Sequence, residues 1–284
     1  MEMTKVKLLV IILAVIMIVS LATNVYQYNN SLSASNQSKK EQMGMLLIHD
    51  AAEINQELLR LDGLVSDACQ KLSTTGLSGA AADQILSDLY TQNSNIIVNA
   101  ATTDKKDIIV AVQPSNYSNI IGEDIANQEQ NIEMHKTMRP ALSNLIGLVE
   151  GFPGIVMVAP IFNSNEQFIG ALSIVFLPYE LVQPIVADSS QSTYTIYALQ
   201  SNGTLIYDAG AEQGKNIFTD ADYQGYDSLQ TFIHQVVGAQ SGYGTYSYYD
   251  DKAAGRPLVN KDAYWTTIGI YNTDWRLVIA ETLS

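Results

Sequence analysis

Eight apolar residues between positions 47 and 72 recur in alternating steps of four and three, and this spacing constrains the fold more than any other feature. They are Leu47, Ala51, Ile54, Leu58, Leu61, Val65, Ala68 and Leu72. Because side chains three and four apart share a helix face, the pattern predicts a long helix over 39–76 with one apolar ridge, and Gly76 is a candidate left-handed cap. Two interpretations stay open. One is a spine for the molecule, and the other is an ordinary amphipathic core helix, since Gly63 and two ridge alanines weaken a coiled coil.

Net charge limits the partners of this chain. The formal charge is -14 at pH 7, and the acidic residues lie almost entirely after residue 40. Such a domain repels phosphate backbones, which argues against nucleic-acid binding. The single cysteine, Cys69, lies inside the predicted helix, where we expect a buried small hydrophobe without a redox role.

The N-terminus has the pattern of a membrane-targeting segment. Between Leu8 and Ala22 the only residue that is not apolar is Ser20, and two lysines precede the run. We expect residues 1–25 to form one uncleaved anchor with the lysines in the cytoplasm, so that the bulk of the chain is extracytoplasmic. The alternative is a signal peptide cleaved near Ala22, which would give a secreted protein. Residues 26–38, rich in Asn, Gln and Ser, are expected to form a polar linker.

The rest of the chain contains one pattern twice. In each copy two strand-like segments flank a polar turn, and a Gly-x-x-Ile segment follows, beginning at Gly122 and at Gly214. A helix-prone stretch comes next, over 127–149 in the first copy and 226–237 in the second, and further strands follow it. The pattern predicts two antiparallel sheets, each with an inserted helix. The expected module boundaries are 77–190 and 191–284.

Together these features resemble the double Cache (PDC) family of extracytoplasmic sensor domains. The resemblance covers about residues 41–284, and its most recognisable segments are residues 122–129, 151–162 with 168–171, 216–223, 264–269 and 273–276. It implies an α+β fold in which the long N-terminal helix packs along two PAS-like antiparallel-sheet modules, preceded by one transmembrane helix. The first module would be membrane-distal and the second membrane-proximal. The C-terminal segment is similar to the ending of stand-alone archaeal, methanogen-type sensors.

The resemblance also implies where a ligand would bind. In this family the membrane-distal module usually holds it, between the sheet and the segments that follow the Gly-x-x-Ile motif. The candidate ligand residues in that module are Arg139, His135, Phe152, Met157 and Tyr117. Arg139 could hold a carboxylate through its planar fork, and it would share a helix face with His135. The aromatic pair that the family places after this arginine is missing, so a solvated Arg139 is the alternative.

The second module is rich in tyrosine and offers a weaker candidate pocket. Its candidate residues are Tyr207, Tyr223, Tyr246 and Trp265. Tyrosine suits a pocket lining and also a half-wet sheet face, and the sheet face is the simpler interpretation for most of them.

No pattern in the sequence indicates catalysis. The histidines, His49, His135 and His234, lie on three different predicted helices, and no metal-ligand spacing, nucleophile elbow or phosphate-binding loop occurs. We therefore expect no catalytic residues, no metal and no cofactor.

Two functional hypotheses follow. The first is an anchored extracytoplasmic sensor that binds a small polar organic ligand, either a carboxylate or an amino-acid-like molecule, and passes the signal to a separate signalling protein. The second is a cell-surface interaction or structural module of the same fold. The second hypothesis predicts a homodimer through the 47–72 helix, with Leu47, Ile54 and Leu61 in the contact.

Overall fold

The computed structural model describes residues 2–190, 194–210, 212–250, 254–271 and 273–283. The chain divides into two compact units, residues 1–46 and 47–284. The described residues of the first unit all belong to one long helix, α1 (Glu2–Thr75). The second unit contains the end of that helix and two antiparallel sheets, which we call the first module (77–190) and the second module (191–284). The predicted boundary between the modules adjoins residues 191–193, which lie outside the described residues.

Helix α1 ends where the sequence predicts and begins much earlier. The Gly76 N–H donates to the Leu72 carbonyl at 2.9 Å, and its φ of 94° confirms the left-handed cap. Residues 26–38, expected as a polar linker, have helical backbone. This stretch contains neither Pro nor Gly, so nothing in it breaks the helix.

The apolar ridge of α1 is buried along its whole length. All eight ridge residues are exposed by 6% or less within one chain. The prediction that Leu47, Ile54 and Leu61 form a homodimer contact is therefore wrong, because these side chains are buried within one chain and are not available to a second copy.

No helix in the part of the chain that the structure describes has both the length and the apolar character to span a membrane. Of the expected anchor, residues 1–25, the side chains of residues 1–19, 21, 22 and 25 lie outside the described set.

The first module follows the predicted order of elements. Its helices are α2 (Ala80–Thr91), α3 (Glu129–Thr137) and α4 (Pro178–Ser190), and its strands are β1 (Ile97–Thr103), β2 (Ile109–Gln113), β3 (Ala141–Leu142), β4 (Ile146–Gly147), β5 (Pro153–Phe162) and β6 (Phe168–Phe176). The sheet order is β2-β1-β6-β5-β3, and β4 also pairs with β5. A 3-10 helix, Ser115–Ile120, follows β2.

The second module repeats this topology. It contains strands β7 (Tyr194–Leu199) and β8 (Leu205–Asp208), helix α5 (Asp227–Gly238), and strands β9 (Ser241–Tyr249), β10 (Leu258–Ile268) and β11 (Trp275–Thr282). Its sheet order is β8-β7-β11-β10-β9, so each strand has a counterpart in the first sheet. The prediction of two antiparallel sheets and a long N-terminal helix is confirmed.

The helix predicted over 127–149 is too long. Helix α3 ends at Thr137, Met138 takes a left-handed φ of 51°, and Pro140 follows. A residue before proline avoids helical backbone, and proline has no N–H to continue the ladder, so the chain leaves the helix at this point. Arg139 therefore lies beyond the helix, and the expected shared face with His135 does not exist.

Helix α1 contacts both modules by hydrogen bonds. In its C-terminal third, Asn55 Oδ1 accepts from the Gly269 N–H at 2.8 Å, and the Tyr271 hydroxyl donates to Asp62. Both partners belong to the β10–β11 turn of the second module.

Helix α1 contacts the first module through Arg60 and through Cys69, which lies nearer its C-terminal end. Arg60 donates to Asn93 Oδ1 at 2.8 Å, and the Cys69 thiol lies 3.9 Å from the Ala159 carbonyl of β5. The same helix therefore braces two sheets that share no strand.

Candidate functional site

A small cavity lies against one face of the first sheet. Its volume is about 20 Å³, which is room for about one water molecule. Strands β1, β2, β5 and β6 form its floor, and the segments around residues 125–128 and 148–150 form its walls. The lining residues are Asn99, Ala101, Ile109, Ile125, Gln128, Leu148, Val149, Glu150, Val156, Ser173 and Val175.

Asn99 and Glu150 are the polar centre of this cavity. Asn99 is 1% exposed, and its Nδ2 donates to Glu150 Oε1 at 2.7 Å. An ionised carboxylate only accepts hydrogen bonds, so the amide nitrogen of Asn99 must face Glu150 and its oxygen must face the other way. That oxygen, Oδ1, is buried and has no partner among the described residues. A buried acceptor left unpaired costs about 1–3 kcal/mol, which marks it as a group that a donor would satisfy.

Glu150 reaches the cavity from the tip of a hairpin. Strands β4 and β5 pair at Gly147 and Pro153, and the turn between them is closed by Gly151 N–H donating to Leu148 O at 3.0 Å. Gly151 has a φ of 91°, a conformation that favours glycine. We call residues 147–153 the lid.

The lid is held down by packing. Leu148 belongs to a buried cluster with Val156 and Val175, against which Phe152 also packs. A Cβ on Gly154 would lie 2.7 Å from Leu148 Cδ1, so the absence of a side chain at Gly154 lets Leu148 settle onto the sheet. The lid is therefore closed by apolar contact at Leu148 and by one hydrogen bond at Glu150.

The opposite wall is fixed by the Gly-x-x-Ile segment. Gly122 has a φ of 96° and donates to Ile109 O at 2.9 Å, and the Ile125 N–H donates to Asp107 O at 3.1 Å. Asn131 on α3 donates to Ile125 O at 2.8 Å. These bonds tie the wall and helix α3 to the β1–β2 turn.

The second module repeats this framework atom for atom. Gly214 has a φ of 86° and donates to Leu205 O at 2.8 Å, and Ile217 N–H donates to Gly203 O at 3.0 Å. In both modules the turn after the first strand contains a bulge, so that Thr103 pairs with Ile109 and Leu199 with Leu205. These two pairs are therefore equivalent, and residues the same number of positions before them on each strand occupy equivalent places in the two sheets.

In one row of the sheet, this equivalence matches smaller side chains of the first module with larger ones of the second. Ala101, Ser173 and Val158 form a row across β1, β6 and β5. The matching row in the second sheet is Tyr197, Val278 and Trp265. The first module therefore has small side chains at places where the second has two aromatic rings and a valine.

Aromatic rings fill the equivalent face of the second sheet. Phe232 from α5 stacks on Tyr246 with a centroid distance of 4.8 Å and meets the Trp265 ring edge-on at 5.6 Å. Trp265 Nε1 donates to Ala239 O at 3.1 Å, and burial raises the pKa of Tyr246 above its ordinary range. Tyr223 packs at the margin of this cluster, and its hydroxyl lies 3.2 Å from Glu212 Oε2. The candidate pocket residues Tyr223, Tyr246 and Trp265 therefore belong to a packed hydrophobic core.

Tyr207 points to the other side of the second sheet. Its hydroxyl donates to Gln183 Oε1 at 2.5 Å, and its ring lies 5.8 Å from that of Tyr179 on α4. Burial raises its pKa to about 12. Tyr207 therefore contributes to packing against α4 and is separate from the aromatic cluster.

The predicted residues of the first module are scattered. Arg139 is exposed, and Met157 is fully buried on the sheet face opposite Val156. His135 Nε2 lies 2.7 Å from Asp107 Oδ2 at the β1–β2 turn. Phe152 lies on the lid, and Tyr117 packs near the cavity while also lining an open cleft of about 440 Å³ at the strand ends. The structure does not bring these five residues together.

Sequence reasoning missed the polar residues of the cavity: Asn99, Gln128, Glu150 and Ser173. A signal for two of them was present, since Ser173 interrupts an otherwise apolar strand and Asn99 has apolar residues on both sides. A polar side chain inside a buried strand calls for a partner, and here register places the two on neighbouring strands. Glu150 gave no such signal because it reaches the site from a turn.

Comparison with known proteins agrees with this architecture. Residues 56–178 match the family described as HK/GC/Chemotaxis protein-like, sensor domain. An extracellular ligand binding receptor from Desulfohalobium retbaense is 36% identical, with a TM-score of 0.71 over 84% of this chain. The chain spans 40% of that receptor's length. A comparison with curated proteins gives no match.

Two chemoreceptor domains share the fold at low identity. The ligand-binding domain of the Pseudomonas aeruginosa amino acid chemoreceptor PctB, in complex with L-Gln, is 10% identical with a TM-score of 0.59, over 85% of this chain and 90% of its own. The periplasmic sensory domain of the Campylobacter jejuni chemoreceptor Tlp1 is 12% identical with a TM-score of 0.57, over 87% and 95%. The fold is that of Cache-type extracellular sensor domains.

Proposed function

We propose that this chain is an extracytoplasmic sensor whose first module binds a small polar organic ligand in the cavity beneath the lid. One observation carries the proposal. At matched positions of a duplicated sheet, the first module has Ala101 and Ser173 beside an unpartnered Asn99 oxygen, whereas the second module has Tyr197 and Val278. The second module is packed with side chains on this face of its sheet, whereas the first module has a small polar cavity there.

Binding requires the lid to move. With the lid placed as in this structure, the cavity has room for about one water molecule, so a larger ligand fits only when Leu148 and Glu150 move away from the sheet. A ligand that binds the open arrangement better than the closed one shifts the population toward it, and the size of the shift is set by the difference in affinity.

The signal would reach the membrane through α1. This helix bonds to the first module at Arg60 and Cys69 and to the second at Asn55 and Asp62, so a movement of either sheet changes its contacts. In this proposal residues 1–25 anchor the chain in the membrane, and the bulk of the chain is extracytoplasmic and has no catalytic activity. A separate signalling protein responds to the movement of the helix. The stand-alone archaeal form stays a prediction.

Thermal unfolding with a compound panel tests the proposal. The purified full-length chain is screened with amino acids, organic acids, amines and amides, alongside Ala101→Tyr, which copies the second-module residue into the cavity. Tyr223→Phe, which removes a hydroxyl from the filled module, is the matched control. We expect at least one compound to raise the Tm of the wild type and of Tyr223→Phe but not of Ala101→Tyr. A panel without hits, or hits that survive Ala101→Tyr, would contradict the proposal.

A further inference from the structure

We infer that the first-module cavity recognises the hydrogen-bond-donating end of its ligand, an ammonium or a primary amide, through Glu150 and Asn99, and that it discriminates against a free carboxylate. This inference rests on the proposed function and specifies the ligand class of the same site. It replaces the expectation that Arg139 holds a carboxylate, because Arg139 is exposed and does not line the cavity.

The charge of the lining supports this assignment. Glu150 is the one ionisable side chain among the eleven lining residues, all of which the structure describes, and none of them is Lys, Arg or His. His135, one of the candidates from the sequence, does not line the cavity and contacts Asp107 instead. A carboxylate entering this space would meet a like charge without a compensating cation, whereas an ammonium would gain an opposite charge. The chain's formal charge of -14 also raises the local concentration of cations.

The hydrogen-bonding groups point the same way. Asn99 Oδ1 is a buried acceptor without a partner, and Glu150 offers only acceptor oxygens. The Ser173 hydroxyl donates to the Ala101 carbonyl at 3.4 Å, so its oxygen remains as an acceptor on the ligand side. Gln128 Oε1 accepts from Gln130 at 2.6 Å, so Gln128 can offer only its amide N–H donors. Around Asn99, Glu150 and Ser173 the available groups are acceptors, which are complementary to a ligand group that brings several N–H donors.

The remaining lining fits a short hydrocarbon body. Ile109, Ile125, Leu148, Val156 and Val175 surround the polar centre. Glu150 lies between Gly147 and Gly151 on the lid, so the residue that would bind the donor group also moves when the lid opens. A ligand N–H that takes over the Glu150 and Asn99 acceptors would replace the hydrogen bond that holds the lid shut.

Three probes with one carbon skeleton separate the chemical classes. We would titrate n-butylammonium, n-butyramide and n-butyrate into the full-length chain and follow binding by calorimetry. We expect heat of binding with the ammonium and the amide, and weaker or absent binding of butyrate. Glu150→Gln should weaken n-butylammonium by roughly tenfold or more, because a charge-assisted hydrogen bond becomes a neutral one, and should change n-butyramide much less.

A matched control keeps the test specific. Glu123→Gln removes an exposed carboxylate from the same module and should leave all three affinities unchanged. The inference is overturned if butyrate binds at least as tightly as n-butylammonium, if Glu150→Gln and Glu123→Gln behave alike, or if no probe binds. Butyrate binding that Ala101→Tyr abolishes would refute the ligand class and leave the proposed site standing, whereas binding that is insensitive to Ala101→Tyr would refute both.

Discussion

Single residues record how the two copies of the module diverged. The turn after the first strand needs a left-handed residue in each copy, at Asp107 with a φ of 60° and at Gly203 with a φ of 86°. A Cβ on Gly203 would lie 2.4 Å from the Phe218 ring, so glycine is required there. In the first module the same place holds a carboxylate that pairs with His135 on α3. The first copy thus uses polar contacts where the second uses aromatic packing.

Cys69 should be chemically inert in the folded chain. Burial, with a smaller contribution from the Asp62 charge, raises the pKa of its thiol to about 12. Because the thiolate is the reactive species and an unfolded cysteine has a pKa near 8.5, disulfide-reagent labelling at pH 8 should be slower in the folded chain by more than about a thousandfold.

The labelling rate is compared in buffer and in urea. Rates within about tenfold of each other would show that Cys69 is accessible and that α1 is not packed as described. The raised pKa also makes the free energy of unfolding depend on pH. Because the folded state holds the Cys69 proton more tightly, the stabilisation is fully present below the pKa of the unfolded state and is lost as the pH rises through the alkaline range.

At the scale of elements, periodic apolar patterns carried most of the predictive information. The four-three spacing of α1 and the strand-turn-strand pattern locate the helix and both sheets, because burial follows period directly. Element ends were less predictable. Pro140 marks the end of α3, yet apolar residues after it extended the apparent helix to 149.

The candidate site was the least predictable part. Asn99 and Glu150 are 51 residues apart and meet because the lid folds back over β1. That contact depends on which strands pair and on the conformation of the lid turn, neither of which is encoded near Asn99. Arg139 was a candidate because it is the one arginine of this region, but it lies beyond the helix end at Thr137 and is exposed.

The ridge of α1 should carry a large share of the stability of the second unit. Leu61 is 0% exposed and Leu59, two residues earlier, is 59% exposed. Leu61→Ala should lower the free energy of unfolding by about 3 kcal/mol through lost burial and a residual cavity. Leu59→Ala should change it by no more than about 0.5 kcal/mol. Urea denaturation of the two variants checks this, and equal effects would mean that α1 does not pack on this face.

At the scale of the whole molecule, one helix is bonded to two copies of a sheet module that differ in what fills them. The second module is closed around Phe232, Tyr246 and Trp265, which suits a rigid support. The first module keeps a polar cavity under a lid, which suits a part that responds to a ligand. Hydrogen bonds from Asn55 and Asp62 join helix α1 to the second module, and those from Arg60 and Cys69 join it to the first.

Hydrogen–deuterium exchange of the full-length chain, recorded with and without n-butylammonium, n-butyramide and n-butyrate, tests this division most directly. Any probe that binds should change exchange at the lid, residues 147–153, and at β1, while β7 and β10 of the second module stay unchanged at their cavity-equivalent positions. Exchange changes confined to β7 and β10, or exchange that no probe alters, would contradict the account.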